Sequence, residues 1–337
     1  MIRSSNPTAL GVVMAVLGIA LFVWLIWTVG PAEIGAGFRQ IGWGLAAIVA
    51  LGGLRFATRA FAWTLAFDPP ARLRFTDAYA AVLSGDTLGN IIPLGPLVSE
   101  PAKIAFVRGR TDVAAAITAL AVENVFYTLT VAAMIAASTI ALLFRFDLPA
   151  GWQLTSKVVL AALVALFLLA MWMLWRRPAL VSGALRAFGG SGARAGRNVQ
   201  RLQRLEQEIY SFSSRRRAAI VPIILTQLAF HALGVLEVHL TLMMLLPAAP
   251  PLLTSFILEG ANRLVMVLFK FVWLRLGVDD VSSEWLGRVL GLGIAFGTTV
   301  AVVRRARVLF WMLVGAALLV RHGLSARRVL QDRTLDV

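Results

Sequence analysis

Between Ser84 and Lys103 the chain reads SGDTLGNIIPLGPLVSEPAK, and this stretch interrupts sequence that is otherwise of membrane type. Asp86, Asn90 and Glu100 bring carboxylate and amide groups into it, while Pro93, Pro96 and Pro101 each remove a backbone donor and break helical hydrogen bonding. Broken backbone at membrane depth survives only where protein or a water-filled cavity satisfies it. The stretch is therefore expected to form the tip of a re-entrant helical hairpin lining a cavity, with the functional site beside it.

The composition agrees with that setting: 59% of residues are hydrophobic and only 15% charged, against about 25% charged in soluble domains. The absence of cysteine excludes disulfides, thiolate metal ligation and thiol catalysis together. His231 and His239 lie on one apolar helix about 80° apart around its axis, and His322 is remote, so the three read as core residues rather than metal ligands. No metal and no cofactor is expected. A formal net charge of +15 would suit nucleic acid. The basic residues collect beside membrane segments, however, which points to the cytoplasmic face and anionic headgroups instead.

Along the chain, Thr8 to Gly30 is long enough for the roughly 20 residues a span requires. Trp24 and Trp27 near its end favour a retained anchor over a signal peptide. The next span, Ile41 to Phe67, carries Arg55 and Arg59 one helical turn apart on one face. They either snorkel toward cytoplasmic headgroups or form a bundle-facing pair that meets lipid phosphate. After the polar turn Asp68 to Asp77, the hairpin arms are Ala78 to Ile92 and Glu100 to Arg110. The second arm is roughly 16 Å long at 1.5 Å per residue and cannot cross a hydrocarbon core of about 30 Å. Glu100 at its head, followed by Pro101, reads either as a carboxylate capping the positive helix end or as a gate or amine-headgroup contact.

Val113 to Leu143 is a long span with Glu123 and Asn124 embedded in it, and Val158 to Trp175 is another. Arg176 to Arg217 carries ten Arg against Glu206 and Glu208, the strongest cytoplasmic marker in the chain. Within it Leu202, Leu205, Ile209 and Phe212 fall at helical spacing, either as an amphipathic helix on the inner leaflet or as part of a solvated basic linker. Ala218 to Leu246 spans next. Leu252 to Leu276 holds too many charges for a lipid-facing helix, and Gly277 to Arg288 is short and polar. Gly293 to Val320 is a long apolar helix with Arg304, Arg305 and Arg307 near its middle. Reading those three as a cytoplasmic loop instead leaves residues 308–320, too short to span.

Loop charges and parity predict an all-α polytopic membrane protein, a single membrane domain of about six transmembrane helices plus two oppositely oriented re-entrant hairpins in an inverted repeat. Its first half is 8–143 with hairpin 78–110, its basic cytoplasmic linker with the amphipathic helix 176–217, its second half 218–320 with hairpin 252–288, and its cytoplasmic tail 321–337. Both termini are expected in the cytoplasm, with the chain in a bacterial-type inner membrane.

An Arg at the centre of a membrane helix costs about 2.5 to 3.5 kcal/mol on insertion scales and must face protein, water or an anion. Guanidinium forks match phosphate oxygens. Arg304, Arg305, Arg307, Lys103 and Arg59 are accordingly the candidate lipid-headgroup contacts. Asp86, Asn90, Pro93, Glu100, Glu123, Asp279 and Asp280 are the candidates for the hairpin cavity and its gating. Glu100, Glu123, Asp279 and Asp280 are the carboxylates expected to pair with these Arg in the empty state. Purely structural buried pairs are the alternative, although such pairs stabilise poorly compared with apolar packing.

GDTLGNIIPLGPLVSEPAK, followed by Glu123 in the next long helix, resembles the lysylphosphatidylglycerol synthase transmembrane family of flippase-like proteins. LGVDDVSSEWLGRVLGLG followed by VVRRARVLFWMLVG is similar to that family's acidic, Gly-rich hairpin and Arg-bearing last helix. The resemblance covers residues from about 8 to 320. Ser99 stands where the family usually has Gly, and Asn124 where an Arg commonly follows the Glu. Larger members add a soluble aminoacyl-transferase domain, which this chain is expected to lack, so it is not expected to be that enzyme. The resemblance implies translocation of a phospholipid or an isoprenoid- or hopanoid-type lipid between leaflets. Transport would be passive or ion-coupled, since no phosphate-binding loop of the ATPase type is present. An intramembrane lipid-linked transferase and an accessory protein organising lipids or a partner complex are the alternatives. The expected partners are anionic membrane lipids rather than nucleic acid, and a homo-oligomer is left open.

Overall fold

The computed structural model describes residues 39, 41–91, 95–146, 150–176, 193–248, 250–268, 287, 290 and 295–321. The expected span 8–30, Pro93, Asp279, Asp280, most of the second arm of hairpin 252–288 and the tail from 322 onward lie outside the described residues. What is described is helical, without a strand: α1 Gly44–Leu65, α2 Phe75–Ile91, α3 Gly95–Val107, α4 Val113–Arg145, α5 Ala150–Arg176, α6 Ala193–Arg215, α7 Arg217–Leu245, α8 Leu252–Leu268 and α9 Ala295–Arg321. Three of them, α1, α4 and α7, are long and apolar enough to cross a membrane. At 22, 33 and 29 residues they would measure about 33, 50 and 44 Å.

α2 and α3, of 17 and 13 residues, fold back on each other as a helical hairpin. The close turn depends on glycine: a Cβ on Gly95 would run into the backbone oxygen of Gly89, so the arms meet backbone to backbone. The second arm starts earlier than the sequence suggests. It begins at Gly95, with Pro96 in the first turn, where a missing N–H costs nothing, and Pro101 inside the helix. Glu100 is consequently in the body of α3, not at its head, and does not cap it.

The base of the hairpin is fixed by the largest apolar cluster. Trp63 and Phe67 from the end of α1, Ala78 and Val82 of α2, Phe106 and Val107 of α3, and Leu120 of α4 close around Phe212 of α6. Trp63 is wholly buried and its indole N–H donates to the Ala116 carbonyl at 3.3 Å. α4 is started by Asp112, whose side chain accepts from Ala115 N at 2.7 Å. The amphipathic stretch forms α6, which seats Phe212 in the core, bonds Glu208 to Thr118 at 2.5 Å and pairs Arg215 with Asp68 at 3.0 Å. Higher up, the hairpin leans on α9 through a small seam of Leu88, Val98, Ala102 and Leu319. α9 is one continuous helix through Arg304, Arg305 and Arg307, which disposes of the loop reading for these residues.

Candidate functional site

The polar groups that the apolar runs carry gather into two clusters between the helices. The first ties the hairpin to the bundle. Arg59 of α1 grips Glu123 of α4 with Nε to Oε1 at 2.7 Å and Nη2 to Oε2 at 2.9 Å. A third Arg59 contact goes to Asn124 Oδ1 at 3.2 Å, and the guanidinium lies 3.9 Å from the centre of the Tyr127 ring. Gln227 of α7 donates to the same Glu123 at 2.8 Å. Asn124 in turn donates to Glu100 of α3 at 3.1 Å, and Lys103 caps Glu100 at 2.7 Å. Asn124 thus serves as a neutral link between Arg59 and the hairpin.

In the second cluster two carboxylates are shared among four guanidiniums. Glu237 of α7 faces Arg55 of α1 at 2.9 Å and Arg307 of α9 at 2.8 Å. Glu259 of α8 takes Arg263 at 2.6 Å and Arg55 at 3.4 Å on one oxygen, while its other oxygen faces Arg304 at 3.7 Å. Arg304 also donates to Asn262 at 3.0 Å. Gly234 makes room for this: a Cβ there would sit 2.7 Å from Glu259 Oε1 and 3.3 Å from the Arg55 guanidinium carbon. An aromatic pair divides the clusters. Tyr127 meets Phe230 edge-on at 5.6 Å, and Arg55 and Arg263 lie 4.7 and 5.0 Å from the Phe230 ring centre.

Of the candidates read from the sequence, Arg59, Glu100, Lys103 and Glu123 come together in the first cluster, and Arg304 and Arg307 in the second. Neither Arg55 nor Arg59 snorkels: both point into the bundle and are ion-paired. Among the described residues the acidic partners of Arg304 and Arg307 are Glu259 and Glu237, which α8 and α7 bring nearer than the expected Glu100 and Glu123; Asp279 and Asp280, the other expected partners, lie outside the described residues. Arg305 is partly buried on α9. Asp86 and Asn90 bond to each other within α2, Nδ2 to Oδ2 at 3.0 Å. Their hydrogen bond stays inside the hairpin. Glu237 was not singled out by sequence reasoning. Its signal was a polar face on an apolar span, Gln227, His231, Gly234 and Glu237, all buried. His231 and His239 contact Thr130 at 3.2 Å and Ser255 at 2.9 Å. Among the described residues, no three His, Asp or Glu gather as metal ligands.

Apolar helices of spanning length closed around buried ion pairs define a helical membrane protein whose polar groups face its own interior. The pattern of the lysylphosphatidylglycerol synthase TM region matches residues 10–317, and the chain belongs to that family. We find no match to it among curated proteins or solved structures.

Proposed function

We propose that the protein is a lipid translocator, passing the headgroup of a phospholipid or an isoprenoid- or hopanoid-type lipid across the bilayer while the tails stay in hydrocarbon. The observation that carries this reading is the pair of ion clusters. Ionised groups on six helices, near the middle of several of them, form two polar clusters where apolar packing would be more stabilising. Ionisable residues at that depth mark pathways for polar cargo.

In this reading the chain lies in a bacterial-type inner membrane with both termini cytoplasmic. It has six spans, namely 8–30, α1, α4, α5, α7 and α9, and two re-entrant hairpins, α2–α3 from the cytoplasm and 252–288 from outside. The hairpin base is held by the Trp63 and Phe212 cluster, whereas its upper part meets α4 through the Glu100–Asn124 bond and α9 through the Leu88, Val98, Ala102 and Leu319 seam and the close approach of Gly315 to Leu83 and Thr87. It is the upper part that parts from α9 and α4 to admit a headgroup, which exchanges against the Arg–Glu pairs. The membrane family, with its lipid-linked name, supports a lipid cargo.

The test is headgroup accessibility in proteoliposomes with a fluorescent lipid and an impermeant quencher. Scrambling of chemically unchanged lipid supports translocation. A chemically modified lipid would indicate a transferase, and neither result would leave a scaffold that organises lipids.

A further inference from the structure

The two clusters differ in net charge. Around Glu100 and Glu123 stand Lys103 and Arg59, two cations to two carboxylates. Around Glu237 and Glu259 stand Arg55, Arg263, Arg304 and Arg307, four to two, so among the described residues the second cluster holds an excess of 4 − 2 = +2. An uncompensated charge in the interior is costly, and two are more so. The open hydrogen-bonding position has the matching sense. Among the described residues Arg55 Nε is buried without a hydrogen-bond acceptor, Arg55 being only 7% exposed, while Arg307 Nε has the Glu237 carboxylate beside it at 2.8 Å. Arg55 Nε is a donor, so an acceptor with negative charge suits it.

Access is uneven too. The Arg304 and Arg307 side chains are 18% and 16% exposed, Arg55 and Arg263 only 9% and 5%. Arg304 is also the most loosely held of the four, at 3.7 Å from its carboxylate.

We propose that this second cluster is a site for a dianionic phosphate, a phosphomonoester or diphosphate group, entering from the α9 side. The balance of charge selects it over a phosphodiester: a monoester carries about −1.5 to −2 at neutral pH, a diester only a single charge. Guanidinium forks on three helices offer paired N–H donors to its oxygens. The first cluster, already neutral, is the latch that holds the hairpin, and Arg59 and Lys103 belong to that latch. Only the source of the phosphate, a lipid headgroup, rests on the translocation reading.

The experiment uses the full chain in nanodiscs of neutral lipid doped with phosphatidic acid or phosphatidylglycerol of the same acyl chains, with retained lipid counted by native mass spectrometry. Phosphatidic acid is expected to be retained about tenfold over phosphatidylglycerol, the order expected when one extra charge-assisted contact is made. Arg304→Gln and Asn262→Asp each subtract one charge while Arg263 and Arg55 still hold Glu259, and each brings the preference toward parity. The surface control Arg215→Gln leaves it unchanged. Inorganic phosphate separates the sources. If it binds without lipid and displaces phosphatidic acid, the cluster holds the phosphate group itself; if only the lipid binds, the cluster holds a headgroup, and the dianion site stands in both cases. Equal retention of the two lipids, or a preference unmoved by both charge-subtracting variants, overturns it. Scrambling is measured in parallel. No scrambling with the preference intact defeats the translocation reading alone, and scrambling with no preference defeats the dianion site alone.

Discussion

Replacing Glu123 by Gln keeps the shape of the side chain and removes only its charge. Glu123 is 1% exposed and accepts three hydrogen bonds, two from Arg59 and one from Gln227. Without the carboxylate, the Arg59 guanidinium, 16% exposed, is left charged in the bundle. Removing one partner of a buried pair costs about 3–5 kcal/mol. Arg59 keeps the Tyr127 face at 3.9 Å and Asn124 at 3.2 Å, and a cation over an aromatic ring retains about 0.5–2 kcal/mol. The expected loss therefore lies at the lower end, about 3 kcal/mol, or roughly 150-fold in the unfolding equilibrium. Unfolding in mixed micelles by detergent titration, followed by tryptophan fluorescence, reads it directly. The paired variant Arg59→Met with Glu123→Leu removes both charges at similar volume and is expected to return within about 1 kcal/mol of the parent. A single-variant loss under about 1 kcal/mol, or a double variant as unstable as the single, would refute the claim that this pair is buried and interdependent.

Gly95→Ala drives a Cβ into the Gly89 carbonyl and should part the hairpin arms, lowering stability by about 2 kcal/mol and reducing scrambling. Phe212→Ala empties a site 2% exposed at the hairpin base, and is expected to cost about 3 kcal/mol and to speed amide exchange over residues 193–215. Asp68→Asn loses pairs to Arg215 and Arg216 whose side chains are 48% and 36% exposed. Its effect on stability should stay under about 1 kcal/mol and shrink further in salt.

Much of this arrangement is visible in the chain itself, because a charge inside an apolar run announces itself. Arg59, Glu123, Glu259, Arg304 and Arg307 all stand out that way, and the prolines and glycines between Gly89 and Pro101 mark the hairpin. Partnership is another matter. Arg55 pairs with Glu237 and Glu259, 182 and 204 residues away, and only helix packing decides which carboxylate reaches which guanidinium. Glu237 does not stand out in the sequence because α7 is apolar on average, its polar residues recurring at the spacing of a single helix face. The start of α3 is ambiguous in the sequence for a local reason: Pro101 suits a first turn, but so does Pro96, and the close contact of Gly89 with Gly95 goes with the earlier start. That the charge excess sits in one cluster and not the other follows from geometry alone.

The chain has no cysteine, so two introduced thiols can be joined specifically. Ala102→Cys and Leu319→Cys place them in the apolar seam between the hairpin and α9. Cross-linking them with a short bifunctional, reducible thiol reagent in proteoliposomes, with scrambling measured before and after reduction, tests whether that seam must open for a headgroup to pass. Scrambling that stops on cross-linking and returns on reduction is the predicted result; scrambling that continues unchanged in the cross-linked protein contradicts it.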